Sequence, residues 1–201
     1  MNKGRLFIIS GPSGSGKDTV LVKLFVRCPQ IKFSISSVTR PMRKGEKEGE
    51  KYHFVTRQHF ENMLKNDELL EHNEFVGNYY GTPKSPVTQA IASGEDMIVE
   101  VDVNGAAQIR EKIKDAVSVF IMPPSLDILR ARLSGRGTEP KDVIDRRIEA
   151  ALGEISRAGE YDYIVVNDDL DKAVEDCVCI IRSDRLRTER QSALIDFVLN
   201  K

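Results

Sequence analysis

No apolar run in this chain approaches the roughly 18 residues that a membrane-spanning helix needs, so a membrane protein is not expected. The opening MNKGRLFIIS does not read as a signal peptide, because its apolar stretch is short and leads straight into a glycine-rich turn. Charge of one sign is also lacking. Lys and Arg number 30 against 31 Asp and Glu, a formal net charge of -1. That balance argues against broad nucleic-acid or membrane binding and leaves room only for local basic patches. Cysteine is scarce: Cys28, Cys177 and Cys179 make no disulfide framework. The C-x-C pair has no second pair or suitably spaced histidine to complete a metal site. Three reduced thiols in or near the core of a cytoplasmic protein are expected. His53, His59 and His72 lack helical metal-ligand spacing and read as surface or loop residues. Internal repeats and low-complexity runs are absent too.

What is present is ordinary for a globular chain. Hydrophobic residues make up 40% and charged residues 30% of the 201 positions, enough for one domain with a substantial core and inserted subdomains. RLFIIS (residues 5–10) reads as a buried strand, and TVLVKLFVR after the glycine turn has helical apolar spacing. DMIVEVDV (96–103), VSVFIM (117–122) and YDYIVVN (161–167) read as further buried parallel strands. Helical patterns separate them: AAQIREKIK, SLDILRARLSG and DVIDRRIEAALGEISRAG. This alternation predicts an α/β fold, a parallel sheet with helices on both faces. Two stretches break it. Residues 35–90 are more polar, with strand-like pieces around FSISSV, YHFV and EHNEFVGNYYG, and are expected to form an inserted substrate subdomain. Residues 126–159 are rich in arginine, with Gly135 and Gly137 as flexible turns, and are expected to form a lid. The core is then residues 1–34, 91–125 and 160–201.

The chemistry begins at GPSGSGKDT, residues 11–19. Gly11, Gly16 and Lys17 have the spacing of a phosphate-binding loop, and strand, glycine loop, helix is the setting such a loop needs. Glycines let successive N–H groups face one concavity, the following helix adds its positive end, and Lys17 adds a charge for the outer phosphates. Asp18 stands where the general pattern has a hydroxyl. It is expected either to face solvent or to meet a magnesium shell through water, with Thr19 supplying a hydroxyl one residue on. In SSVTRPMRKGEKEGEKYHF (36–54), Arg40 and Arg43 with Tyr52 either fork onto a phosphate or sit in a solvated loop of mixed charge. Glu71 suits the paired N1–H and amino group of guanine, which adenine lacks, or is an ordinary helix-end glutamate. Glu100 and Asp102, read on one strand and hence on one face, would hold magnesium waters or a substrate amine. Arg132, Arg136, Arg146 and Arg147 would reach a transferring phosphoryl group, or pair along a helix with Asp142, Asp145 and Glu149.

Taken in order, GPSGSGK, S-x-x-T-R-x-x-R-x-G-E-x-x-G-x-x-Y-x-F, E-x(5)-G-N-Y-Y-G-T, V-D-V-N-G-A, R-G-T-E and N-D-D-L resemble the guanylate kinase family, from the first strand to about residue 170. The resemblance implies a P-loop α/β core, a GMP-binding subdomain over residues 35–90 and a lid over 126–159, with magnesium-dependent phosphoryl transfer from ATP to GMP or dGMP. By the same resemblance Gly11, Pro12, Ser13, Gly14, Ser15, Gly16, Lys17, Asp18, Thr19, Arg136 and Asn167 would meet ATP, Asn167 beside the adenine. Arg40, Arg43, Tyr52 and Tyr80 would hold the GMP phosphate, with Glu46 orienting the arginines. Ser36, Glu71 and Thr82 would read guanine, helped by Glu100 and Asp102. Lys17, Arg136 and Arg147, with Arg40 and Arg43, would stabilise charge on the moving group. Asp102 and Thr19, through water, are the candidate metal contacts. The family usually has proline before the second arginine rather than after the first, and glutamine where Asn104 stands. Two rivals share the scaffold: a domain binding phosphorylated peptides, against which the intact loop argues, and a kinase for another small phosphate. Neither nucleic acid nor membrane is an expected partner, and both monomer and homo-oligomer are compatible with the sequence.

Overall fold

The structure, a computed structural model, describes residues 3–135 and 140–200. In chain order the first elements are β1 (Leu6–Ser10), α1 (Lys17–Arg27), β2 (Lys32–Phe33), β3 (Ser36–Val38), β4 (Tyr52–Phe54) and α2 (Arg57–Lys65). They are followed by β5 (Leu69–Phe75), β6 (Asn78–Pro83), α3 (Lys84–Ala92), β7 (Met97–Glu100), α4 (Val103–Lys112) and β8 (Val117–Met122). The rest is α5 (Leu126–Ser134), α6 (Lys141–Ile155), β9 (Tyr163–Val166), α7 (Leu170–Arg185) and α8 (Ser192–Leu199). One sheet has the strand order β2-β7-β1-β8-β9, with β2 parallel to β7 and β8 parallel to β9. A second sheet has the order β4-β3-β6-β5 and lies wholly within the polar stretch expected to be inserted. By internal contacts the chain forms two compact units, Ile9–Gln30 with residues 118–200, and Lys3–Ile8 with Ile31–Val117.

β1 and β8 are buried along almost their whole length, as continuous apolar runs in a parallel sheet should be. Phe120 and Tyr161 meet edge to face at 5.2 Å. Leu129 and Leu133 of α5 pack on Ile148 and Ala151 of α6. α1 and α7 are joined at the surface by Lys23–Asp171 (2.6 Å) and Arg27–Glu175 (2.5 Å). Such exposed pairs contribute about 0–1 kcal/mol each, so the apolar contacts decide this packing. In the second unit Phe60 and Met63 of α2 pack on Leu69, and Tyr79 stacks on Phe60 at 5.3 Å.

The strand expected over 96–103 is too long. β7 stops at Glu100, and Asp102 is the N-cap of α4, its Oδ1 accepting from the N–H groups of Asn104 (2.9 Å) and Gly105 (2.8 Å). An aspartate satisfying two orphan helix donors is worth about 1 kcal/mol, which tips V-D-V-N-G to helix. Glu100 and Asp102 therefore do not share a strand face. FSISSV is not one strand either: β2 and β3 belong to different sheets. Glu71 lies on strand β5, so the helix-end reading of it does not hold. Cys28 and Cys177 are buried as expected, with burial pushing the Cys177 thiol up to about 12, but Cys179 is exposed. The three histidines are exposed. Gly135 closes α5 in right-handed helical conformation, while Gly137 lies outside the described residues. α8 buries none of its residues, and Leu194, Phe197 and Val198 are exposed. Among the described residues no helix is long and apolar enough to cross a membrane.

Candidate active site

The glycine loop joins β1 to α1 in the first unit. Gly16 is the N-cap of α1 at φ 85, in the left-handed region where only glycine sits without strain, and a Cβ there would collide with the side-chain amide of Asn167. Ser15 N–H closes a turn onto the Pro12 carbonyl (3.0 Å). The Ser15 carbonyl accepts from Asn167 Nδ2 (2.7 Å) and Arg132 Nη1 (3.2 Å), while Arg132 Nη2 donates to the Asn167 carbonyl (2.8 Å). Because a peptide unit is planar and trans, pinning the Ser15 carbonyl also fixes the opposite direction of the Gly16 N–H. The Ser15 hydroxyl is buried without a partner among the described residues. Arg147 Nη2 donates to the Ser13 hydroxyl at 2.8 Å, which brings this arginine onto the loop. Lys17 is half-buried; Asp18 and Thr19 are exposed in the first turn of α1, where the helix dipole favours an acid. Arg136 lies outside the described residues.

Arg132, expected either to reach a transferring phosphoryl group or to pair along a helix, is instead half-buried and donates to two loop carbonyls. Its position three residues after Leu129 and one before Leu133, both buried, was the available signal. Arg146 does follow the bland reading, paired with Asp142 at i,i+4 (2.8 Å) on an exposed face.

In the second unit β3 and β4 run parallel, so residues 39–51 must form a long crossover between them. That crossover carries the arginines. Its tight turn, closed by Glu46 N–H on the Arg43 carbonyl (3.1 Å), has Gly45 at φ 91, the left-handed third position a type II turn requires. The turn carries Glu46 back onto Arg40, which it receives in a fork of 2.7 and 2.6 Å, and onto the Arg43 N–H at 2.7 Å. The Arg40 and Arg43 donors hold the Glu46 carboxyl down to about 2; Glu46, together with Tyr80, holds Arg40 above its ordinary range. Arg40 is 7% exposed, with its guanidinium 5.1 Å from the Tyr52 ring, and Tyr80 meets Tyr52 edge to face at 6.3 Å. The Arg40 Nε–H is buried with no partner among the described residues. A charged donor left unsatisfied in a buried cluster costs stability unless a ligand supplies the acceptor. Arg43 projects exposed beside it.

Glu71 is 5% exposed on β5, its Oε1 accepting from the Thr82 hydroxyl at 2.6 Å. Burial, reinforced by the Asp102 charge and opposed by Thr82 and Lys112, raises its carboxyl to about 7. Asp102 Oδ2 accepts from Asn73 Nδ2 at 2.5 Å, and Glu100 pairs with Lys51 at 2.9 Å. Ser36 is half-buried at the start of β3 and pairs in register with Tyr52. Asn73 and Lys51 were not singled out from the sequence; only the folded sheet brings them to their acids.

A glycine loop between a buried parallel strand and a helix, with an arginine on it, defines a P-loop protein of the nucleotide-phosphate-binding α/β class. The family profile described as "Guanylate kinase" matches residues 3–184. The chain is 45% identical over 190 residues to "Guanylate kinase" of Carboxydothermus hydrogenoformans, covering 94% of this chain and 93% of that one. It is 46% identical over 188 residues to the "Guanylate kinase" of Lactococcus lactis, covering 94% and 92%. The crystal structure of guanylate kinase from Anaplasma phagocytophilum superposes with a TM-score of 0.77 at 35% identity, covering 94% and 90%. The chain belongs to the guanylate kinase family.

Proposed function

We infer that this chain transfers the γ-phosphoryl group of ATP to GMP, giving ADP and GDP. The observation that carries the choice of acceptor is Glu71, a buried carboxylate on the polar inserted sheet, met by the hydroxyl and the backbone of Thr82. Ionised, it accepts two parallel hydrogen bonds from guanine N1–H and the exocyclic amine. Adenine offers no proton at N1, so buried groups would stay unpaired and AMP would be rejected. Ser36 and Thr82 complete the base contacts in this reading. The GMP phosphate takes Arg40, whose Nε–H lacks an acceptor among the described residues, with Arg43, Tyr52 and Tyr80. Glu46 holds both arginines in place for it, and the Lys51–Glu100 pair lies on the nucleoside side. dGMP would fit the same base and phosphate contacts.

An oxygen of the GMP phosphate, ionised at neutral pH, attacks the γ-phosphorus in line as the bond to the bridging β-oxygen breaks. No strong base is needed, and positioning with charge stabilisation supplies the rate. The loop N–H groups and Lys17 hold the ATP phosphates. Arg147, already on Ser13, and Arg136 are the arginines assigned to the moving group. Residues 126–159 act as a lid and 35–90 as the GMP subdomain. Mg2+ would accompany ATP: it prefers oxygen donors, one or two from protein and the rest from phosphate and water, and Thr19 and Asp102 each carry such a donor. With ATP, it would neutralise charge on the outer phosphates. The cytoplasm is the proposed location, where ATP and reduced thiols coexist.

A coupled assay of ADP release with GMP, dGMP, AMP, CMP and UMP tests this. ADP forms with GMP and dGMP and not with AMP; no GMP-dependent ADP at all would leave a phosphate-binding module as the better reading.

A further inference from the structure

β5 is the outer strand of the second sheet. Such an edge leaves alternate main-chain groups without ladder partners, and proteins cover it. Here α4 and its cap cover that edge, and two α4 side chains take its main-chain groups. The Asn73 side-chain amide donates to Asp102, the cap of α4. One residue back, His72 donates its N–H to Gln108 Oε1 (3.1 Å) and accepts on its carbonyl from Gln108 Nε2 (3.0 Å). Further back, the Leu69 carbonyl accepts from Lys112 Nζ (2.9 Å). Gln108 and Lys112 are four apart and so lie on one helix face. Positions 102, 108 and 112 thus follow 73, 72 and 69 in reverse, and α4 stands where another strand would.

This clamp straddles an irregularity. Leu69 pairs with Pro83 and Glu71 with Thr82, so Leu70 is an extra residue in the β5 ladder. A bulge re-aims side chains and weakens the local ladder. Its sign is that Leu69, Leu70 and Glu71 are all buried, where a regular strand would alternate. Glu71 is turned inward by it, close against α4: a Cβ on Gly105 would lie 2.9 Å from Glu71 Oε2. The bulge sets the angle of the carboxylate, and Gln108 and Lys112 hold the main chain on either side of it.

We propose that Gln108 and Lys112 are specificity-determining positioning residues, whose grip on the bulged edge of β5 sets the tilt of Glu71 and thereby the discrimination of guanine from a purine lacking the exocyclic amine. The inference rests on Glu71 as the guanine acceptor. Two parallel hydrogen bonds demand coplanar alignment, and a modest tilt forfeits one of them. The bond to the exocyclic amine is what separates GMP from inosine monophosphate.

The test compares kcat and KM for GMP and inosine monophosphate, KM for ATP, and Tm, in wild type, Gln108→Met, Gln108→Glu, Lys112→Met and Lys112→Arg. Loss of one bond's alignment corresponds to about tenfold. Gln108→Met and Lys112→Met should raise KM for GMP by about tenfold and lower the GMP-to-inosine-monophosphate ratio of kcat/KM by a similar factor. KM for ATP should stay within about twofold. Lys112→Arg should restore the ratio, and Gln108→Glu, which keeps the acceptor for the His72 N–H, should fall between; it also serves if Gln108→Met does not fold. An unchanged ratio with a lowered Tm, or equal losses for both nucleotides, would overturn the proposal and leave α4 a structural support. A wild type that does not prefer GMP, or a Glu71→Gln variant with unaltered KM for GMP, would instead sink the reading of Glu71 itself.

Discussion

In the unit carrying the glycine loop, the groups proposed to face phosphate are main-chain N–H donors at the start of α1, and Arg132 and Asn167 beside them both hold the Ser15 carbonyl. In the unit built on the second sheet, the side chains proposed to bind are held chiefly by other side chains. Glu46 holds Arg40, Thr82 meets Glu71, Asn73 meets Asp102 and Lys51 meets Glu100. The difference suits what each is proposed to bind. Phosphate oxygens look alike from every direction, so a ring of N–H groups suffices. A purine edge has a fixed donor pattern, and only directed side chains can match it. A main-chain cradle tolerates change around it, whereas a side-chain site fails when one partner goes.

Lys17→Ala would break the comparison most strongly, since this lysine is the one loop side chain asked to carry charge. About a 1,000-fold fall in kcat is expected, with KM for GMP little changed, measured by steady-state kinetics. Glu71→Gln comes next. An amide offers one acceptor where the carboxylate offers two, so KM for GMP should rise about 100-fold while KM for ATP holds. The same variant should gain stability. The folded carboxyl lies at about 7, above its ordinary 4.5, so its neutral form is favoured. Stability from this group is intact below the unfolded value and is lost as pH rises through about 7. The loss is on the order of 3 kcal/mol, so at pH 8 Glu71→Gln without nucleotide should melt several degrees above wild type. Binding has the opposite sign: GMP needs the ionised carboxylate, so wild-type KM for GMP should climb as pH falls below about 7, and Glu71→Gln should flatten that climb.

Arg132→Ala tests the loop unit's indirect side chains. With Asn167 still on the Ser15 carbonyl, KM for ATP should rise only about tenfold and KM for GMP should not move. Asp18→Ser should do least. Its carboxylate is exposed in the first turn of α1, so magnesium titration of activity should shift by less than about twofold. A larger shift would place Asp18 in the metal's shell.

Much of the loop unit was legible because it is local. GPSGSGK, the apolar run before it and the helical pattern after it lie within a few turns of chain, and β8 falls on the residues expected. The inserted sheet was legible only as a departure from alternation. Its strand pieces were visible, but FSISSV hid a change of sheet, and V-D-V-N-G concealed a helix cap inside an apparent strand. Capping depends on which N–H groups the chain presents after Asp102, and periodicity does not record that.

From sequence alone came the glycine loop with its lysine, the parallel α/β core and the acids and arginines proposed to bind. These follow from backbone sterics and residue chemistry over short spans. The tertiary structure decided what those residues are held by. It brought Arg132 from α5 onto the loop and closed Glu46 on Arg40. It also buried Glu71 until its carboxyl rose to about 7, and laid Gln108 and Lys112 along the open edge of β5. Each of these is a contact between distant parts of the chain or a consequence of burial, and burial and hydrogen-bond direction exist only once the chain has folded.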